Sequence, residues 1–276
     1  MKLPFVIKIN FVSVYKFIKN LLKRKPVVQV KGALRYGKLA VKRDPRNLKM
    51  AKYMAALPLP PESFNNLEIV CGKVGNNDPR VLFPMDANDR LGDCVVAGMA
   101  HYVTVANGRI GELQIPPEAD VVKFYKKLSK CGKDQGLVML DTLKYWRKRP
   151  FYNHEILGFG HIDLKNHTLV KQCIQLFGGV DLGFQVQDSA INDFNNGITW
   201  TPGVSSEGGH CVVAVNYDKD TVTVLTWGGV QKGTWAWWDA MVDEAYAILP
   251  PEAKQPGFAP GFDYQQLELD LIAVSS

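Results

Sequence analysis

The run from Cys94 to Val103, CVVAGMAHYV, constrains the fold more than any other stretch, because it is apolar, uncharged and spaced as a helix. A helix of that character has to be enclosed by other elements. Its first turn carries the cysteine, so the pattern places Cys94 at the start of a buried helix. Helical patterns recur at 119–129, 137–147 and 166–177, the last closed by Gly178-Gly179. From Val180 onward the texture turns to β, with stretches at 180–185, 211–217 and 221–226. Helices first and strands later predict an α+β chain with two lobes.

Ahead of the cysteine the patterns are weaker. Residues 48–57 read as a short helix, and 65–84 as strand-like and turn-like pieces with Asn76-Asn77-Asp78-Pro79 as a turn. Leu57-Pro58-Leu59-Pro60-Pro61 forces extended, polyproline-like backbone. It reads as an arm laid across the body with its leucines buried.

The 276 residues are 46% hydrophobic and 22% charged, which excludes collagen-like, low-complexity and wholly disordered chains. Charge is unevenly spread. Residues 1–52 hold 15 Lys and Arg against one acid, Asp44, while the remainder holds 18 bases and 26 acids. A basic arm is attached to a mildly acidic body. Within it, the longest uncharged stretch from Lys8 to Lys16 is seven residues, too short to span a membrane. Lys23-Arg24-Lys25 stands where a secretory signal would have its cleavage site. Drawn as a helix, Ile7, Phe11, Val14, Tyr15, Ile18 and Leu22 share a face beside Lys8, Lys16, Lys19 and Lys23. Such an arm suits a membrane surface, nucleic acid, a partner protein or weak packing on its own body.

Five scattered cysteines form no disulfide framework and no CxxC pair. A reducing compartment is expected, cytoplasmic or phage-particle associated. His101, His154, His161 and His167 show no metal-ligand spacing, and no cofactor or metal is expected.

Cys94 and His210 carry the chemistry. A helix N-terminus favours thiolate over thiol, although the adjacent Asp93 opposes it. On local sequence alone, a small buried hydrophobe capping a helix is the commoner role for a lone cysteine. His210 follows Gly208-Gly209 and opens the strand CVVAVNY. A cysteine on a helix start facing a histidine on a strand is the arrangement a thiol nucleophile needs: the imidazole takes the thiol proton and returns it to the leaving group.

At these residues a family resemblance enters. Asn88 to Cys94 (NDRLGDC) resembles the nucleophile segment of papain-like (C1-type) cysteine peptidases, and GGHCVVAVNYD their histidine segment. Leu225-Thr226-Trp227-Gly228-Gly229 is similar to their NSWG segment, and Gly136 to Asp141 with Tyr145-Trp146 to their glycine-led second helix. The order is kept from about Pro84 to Trp238. With the proline-rich stretch ahead of the cysteine, the chain looks like a divergent branch from bacteria and their phages.

The resemblance implies a papain-like two-lobe fold: a helical lobe carrying Cys94, an antiparallel β-rich lobe carrying His210, and a basic N-terminal arm. It divides the chain into a basic amphipathic segment (1–30), an arm packed on the body (31–83), a helical lobe (84–165) and a β-rich lobe (166–276). The implied catalytic set is Cys94 as nucleophile, His210 as base, Asn88 in place of the oxyanion-hole glutamine, and Trp227 shielding the histidine. The family's orienting asparagine aligns with Leu225, which accepts no hydrogen bond. Thr226 supplies a hydroxyl, but strand alternation is expected to turn it to the opposite face unless the register slips.

The function expected is a thiol hydrolase cleaving peptide or isopeptide bonds in a peptide or protein substrate. The arm would then act like a propeptide or tether, a role that its lying in the cleft would support. The alternative is a catalytically weak or inactive structural or interaction protein, associated with a phage particle. A cell-wall amidase is a third reading, resting on the Asp93-Cys94 pair.

Overall fold

The structure, a computed structural model, describes residues 36–54, 56–205, 207–255 and 261–273. The amphipathic pattern at 7–23 lies outside the described residues. Among those described, no helix is long and apolar enough to cross a membrane.

The early segments are short: α1 (Ala51–Met54), β1 (Phe64–Asn65), α2 (Asn66–Val74) and α3 (Pro79–Leu82). The central helix α4 (Cys94–Ile110) is followed by α5 (Glu118–Leu128), α6 (Met139–Lys148), β2 (Gly158–His161) and α7 (His167–Phe177). Then come β3 (Val180–Gln185), α8 (Ala190–Asn196), β4 (Gly209–Tyr217), β5 (Thr221–Thr226) and β6 (Gly229–Thr234). The described chain closes with α9 (Trp235–Met241), β7 (Val242–Leu249) and α10 (Tyr264–Ala273).

The seven strands of the described residues form one antiparallel sheet in the order β2-β7-β3-β4-β5-β6, with β1 pairing the end of β4. Apolar residues face both sides of it. Val212, Ala214, Val222 and Val224 join Phe184, Trp200, Trp237 and Trp238 in one core, whereas Cys211, Val213, Val215 and Leu225 pack with α4 in another.

Helix α4 is enclosed as its sequence demands, with every residue from Cys94 to Arg109 buried. Tyr102 pins its middle by donating one hydroxyl to the carbonyls of Phe177 and Ile248, each at 2.7 Å. Gly108 lets α2 cross closely, since a Cβ there would lie 2.6 Å from Val70 Cγ1.

Two expectations are corrected. Residues 66–74 are helical rather than strand-like: Asn65 caps the helix by accepting from Glu68 N, and Gly75 ends it at φ 69°. In the proline-rich stretch only Leu57 packs on the core; Leu59 is 82% exposed. Its carbonyl neighbour, Pro58, is held by Gln172 Nε2 at 2.9 Å.

Candidate active site

Cys94 is the first residue of α4, and His210 the second of β4. Both line one buried cavity with Met85, Asn88, His101 and Trp227, and about 10 Å³ there leaves room for at most one water. Sequence reading left His101 as structural; the structure puts it on this cavity, where its Nε2 donates to the Pro84 carbonyl at 2.9 Å and faces Asp86 at 3.4 Å.

His210 Nε2 is hydrogen-bonded to Thr226 Oγ1 at 2.9 Å. This overturns the expectation that Thr226 faces away. Val213 pairs with Leu225, so positions 211, 213 and 225 turn toward α4 while 210 and 226 share the other face. The ring stacks on Trp227, with centroids 4.9 Å apart and planes 23° from parallel. Trp227 reaches that place from a left-handed backbone, φ 46°, in the tight Trp227-Gly228 turn between β5 and β6. Phe184 and Tyr36 meet the ring edge-on at 5.7 and 6.2 Å. His210 Nδ1 is buried without a hydrogen-bond partner, so no hydrogen bond joins it to Cys94.

What covers the pair is the chain's own arm. Lys38 N–H donates to the Gly209 carbonyl at 3.1 Å, Leu39 N–H to the Leu137 carbonyl at 2.9 Å, and Leu137 N–H to the Gly37 carbonyl at 2.7 Å. Residues 37–39 thus bridge β4 and the segment entering α6 as a short added strand. The walls along this path are glycine. A Cβ on Gly136 would meet Gly37 O at 2.2 Å, one on Gly209 would meet Lys38 O at 2.6 Å, and one on Gly183 would meet Lys38 Cε at 2.0 Å. A Cβ on Gly37 itself would sit 1.7 Å from Gly92 O. Only a backbone without side chains on these walls permits such an approach. None of this is visible in the sequence, because the four wall glycines lie far apart along it.

Enclosure sets the electrostatics. Burial pushes the Cys94 thiol up to about 12, although backbone N–H groups of Cys211 and Gly37 favour its thiolate. Burial, with the neighbouring His101, holds the His210 imidazole down to about 3. Both groups are therefore neutral at pH 7. Asp93 is raised to about 8 by burial, against a hydrogen bond from Asn88. Asn88 Nδ2 donates to Leu91 O and Asp93 Oδ1, each at 3.3 Å, which turns its amide onto the loop that precedes the cysteine. Asp181, raised to about 7 by burial, accepts from Cys211 Sγ at 3.2 Å.

These shifts make stability depend on pH. A carboxyl raised in the folded state stabilises fully below its ordinary value of 3.8, and that contribution is lost as pH rises through 7 for Asp181 and 8 for Asp93. His210 acts oppositely: its contribution is present above 6.5 and lost as pH falls through 3. The effects offset between the two ranges, and above about pH 6.5 the carboxyls act alone. Asp181 then removes up to about 1.4 kcal/mol per pH unit until about pH 7, and Asp93 does so until about pH 8. The denaturant midpoint should fall between pH 6.5 and 8, and Asp93→Asn should flatten the slope. A midpoint constant over that range in the unmodified chain would contradict the assignment.

The fold is that of papain-like cysteine proteases. Xylellain, a cysteine protease from Xylella fastidiosa, superposes with a TM-score of 0.57 over 79% of this chain and 97% of its own, at 16% identity. ProCathepsin B S9 from Trypanosoma congolense gives 0.52 over 79% of this chain and 86% of that one, at 11% identity. Digestive procathepsin L 3 from the larval midgut of Tenebrio molitor gives 0.52 over 86% of each chain, also at 11%. No family model matches the chain. No curated protein matches it either.

Proposed function

We propose that the chain is a papain-like thiol hydrolase of peptide or isopeptide bonds, held latent by its own arm. The observation that carries this reading is the seating of residues 37–39: an extended peptide, hydrogen-bonded on both sides, lies along a glycine-walled groove beside Cys94. A groove that accepts this backbone accepts another.

When the arm leaves, water reaches the cavity and the burial that keeps both groups neutral is relieved. His210 Nδ1, which has no hydrogen-bond partner, then takes the Cys94 proton. The sulfur attacks the substrate carbonyl; the C–N bond breaks as His210 returns the proton to the leaving amine. Water, deprotonated by the same imidazole, hydrolyses the thioester. The backbone N–H at the start of α4 and a reoriented Asn88 amide stabilise the oxyanion. Thr226 fixes the ring orientation, and Trp227 covers its far face.

A second reading, a structural or interaction module such as a phage-particle component, is favoured by the absent Cys94–His210 hydrogen bond. The test is hydrolysis of a mixed peptide pool by the full chain carrying Gly37→Val. Cleavage that disappears with Cys94→Ser supports the hydrolase. No cleavage, with the groove open and the fold intact, supports the module.

A further inference from the structure

Of residues 37–39, Gly37 has no side chain and Leu39 is 42% exposed, so Lys38 alone sends a side chain deep into the body. That side chain is 0% exposed. Its stem runs over Gly183, where a Cβ would meet Lys38 Cε at 2.0 Å and Met139 Sδ at 2.8 Å. At the end of the hole, Nζ lies 2.9 and 3.0 Å from the two oxygens of Asp243 and 3.2 Å from Glu244 Oε1, with the Leu39 carbonyl at 3.4 Å.

The acids belong to the body rather than to the arm, and the body holds them in place. Between β3 and β7 the register shifts, Gly183 pairing Glu244 and Phe184 pairing Val242, which leaves Asp243 as an extra residue. Neighbours on a regular strand face opposite ways; the bulge lets these two converge on one point. Gln185 Nε2 donates to Asp243 Oδ2 at 2.6 Å, and Tyr246 OH to Glu244 Oε2 at 2.9 Å. Asp181, buried like Glu244, adds a third carboxyl close enough to feel Glu244's charge. Lys38 is the cation that meets both acids.

We infer that this hole is a specificity pocket for a basic side chain, and that Lys38 occupies it as the arm's imitation of a substrate. The inference rests on the groove being a peptide-binding cleft. The arm's main-chain hydrogen bonds are open to any sequence, so discrimination falls to the side-chain pocket. The substrates are peptides or protein segments with a lysine or arginine at the position Lys38 takes, flanked by a residue as small as Gly37.

The test separates binding from chemistry. In the full chain carrying Cys94→Ala and Lys38→Glu, the introduced carboxylate is repelled by Asp243 and Glu244, which frees the groove. Binding of fluorescent peptides with the sequence of residues 34–43, having Lys, Leu or Glu at the position of Lys38, is read by anisotropy. The Lys peptide should bind at least about tenfold tighter than the Leu peptide, and Asp243→Asn with Glu244→Gln should abolish the difference. Equal binding of Lys and Leu peptides, a preference that survives the double neutralisation, or no binding at millimolar peptide overturns the inference. Because Cys94 is absent, a failure of the hydrolase reading leaves this result untouched.

If Lys38→Glu does not fold, Lys38→Ala provides the second measurement. n-Butylammonium should raise its unfolding temperature where n-butanol does not, and the Asp243→Asn/Glu244→Gln pair should remove the effect. Identical responses to amine and alcohol overturn the pocket.

Discussion

Gly37→Val should raise the alkylation rate of Cys94 at pH 7.5 by at least about three thousandfold, since even an ordinary thiol near 8.5 carries that much more thiolate than one held near 12, and a thiol paired with His210 carries more. The cause is steric. The first atom of any side chain at this position would fall 1.7 Å from Gly92 O and 2.2 Å from Gly92 C. Those are backbone atoms, and Gly92 is itself held by Asp134, which accepts from its N–H at 2.9 Å. On the other side, the Gly37 carbonyl abuts Gly136, whose φ of 74° suits a glycine. With neither wall able to retreat, the arm lifts off. The helices and sheet keep their own cores, so the melting transition should persist while Cys94 becomes reactive. A fully folded Gly37→Val chain with Cys94 still inert would mean that something other than the arm seals the cavity.

Thr226→Val should lower peptide hydrolysis by the opened chain about 10²- to 10⁴-fold, the range set by losing general acid–base catalysis or the correct imidazole tautomer. The substitution keeps shape and removes the hydroxyl that meets His210 Nε2 at 2.9 Å. Stacking on Trp227 continues to hold the ring plane, but nothing then selects which nitrogen carries the proton. The pH profile should distort along with the rate, a change that mere loosening of the core would not produce. Thr226→Ser, which restores the hydroxyl, should recover most of the activity. Leu225→Ala offers the contrast: Leu225 packs with Val213 on the α4 side of β5, so its loss should cost stability and leave the profile in place.

Much of the scaffold is legible because local signals agree with the tertiary result. The uncharged run after Cys94 extends to Ile110 as one buried helix, and Asn166 and Gly178 delimit α7 by accepting from Leu169 N and ending it at φ 86°. Strands β3, β4 and β5 follow their apolar patterns because both sheet faces are covered. Helix α2 is less readable. Ile69, Val70 and Val74 are β-branched and Gly72 interrupts them, so propensity points to a strand. Packing of Val70 against the notch at Gly108 decides otherwise.

The site divides in the same way. Cys94, His210 and Trp227 follow from motif order. The partner of His210 follows only from strand pairing, which a one-residue alignment offset conceals. The arm's position has no local signal at all, since Gly92, Gly136, Gly183 and Gly209 sit in four separate segments and meet Gly37 and Lys38 only after folding. The basic composition around Lys38 describes a charged tail, and the acids that bury it lie some two hundred residues away in sequence.

The central claim, that removing the arm lets Cys94 and His210 form a working pair, is tested most directly by the pH dependence of Cys94 alkylation. The rate should be followed from pH 4 to 9 in the full chain carrying Gly37→Val, with and without His210→Ala. The account predicts fast alkylation at pH 5 that vanishes with His210→Ala, because a thiolate at that pH requires an imidazolium beside it. A single titration near the ordinary thiol value of about 8.5, the same in both chains, would contradict it.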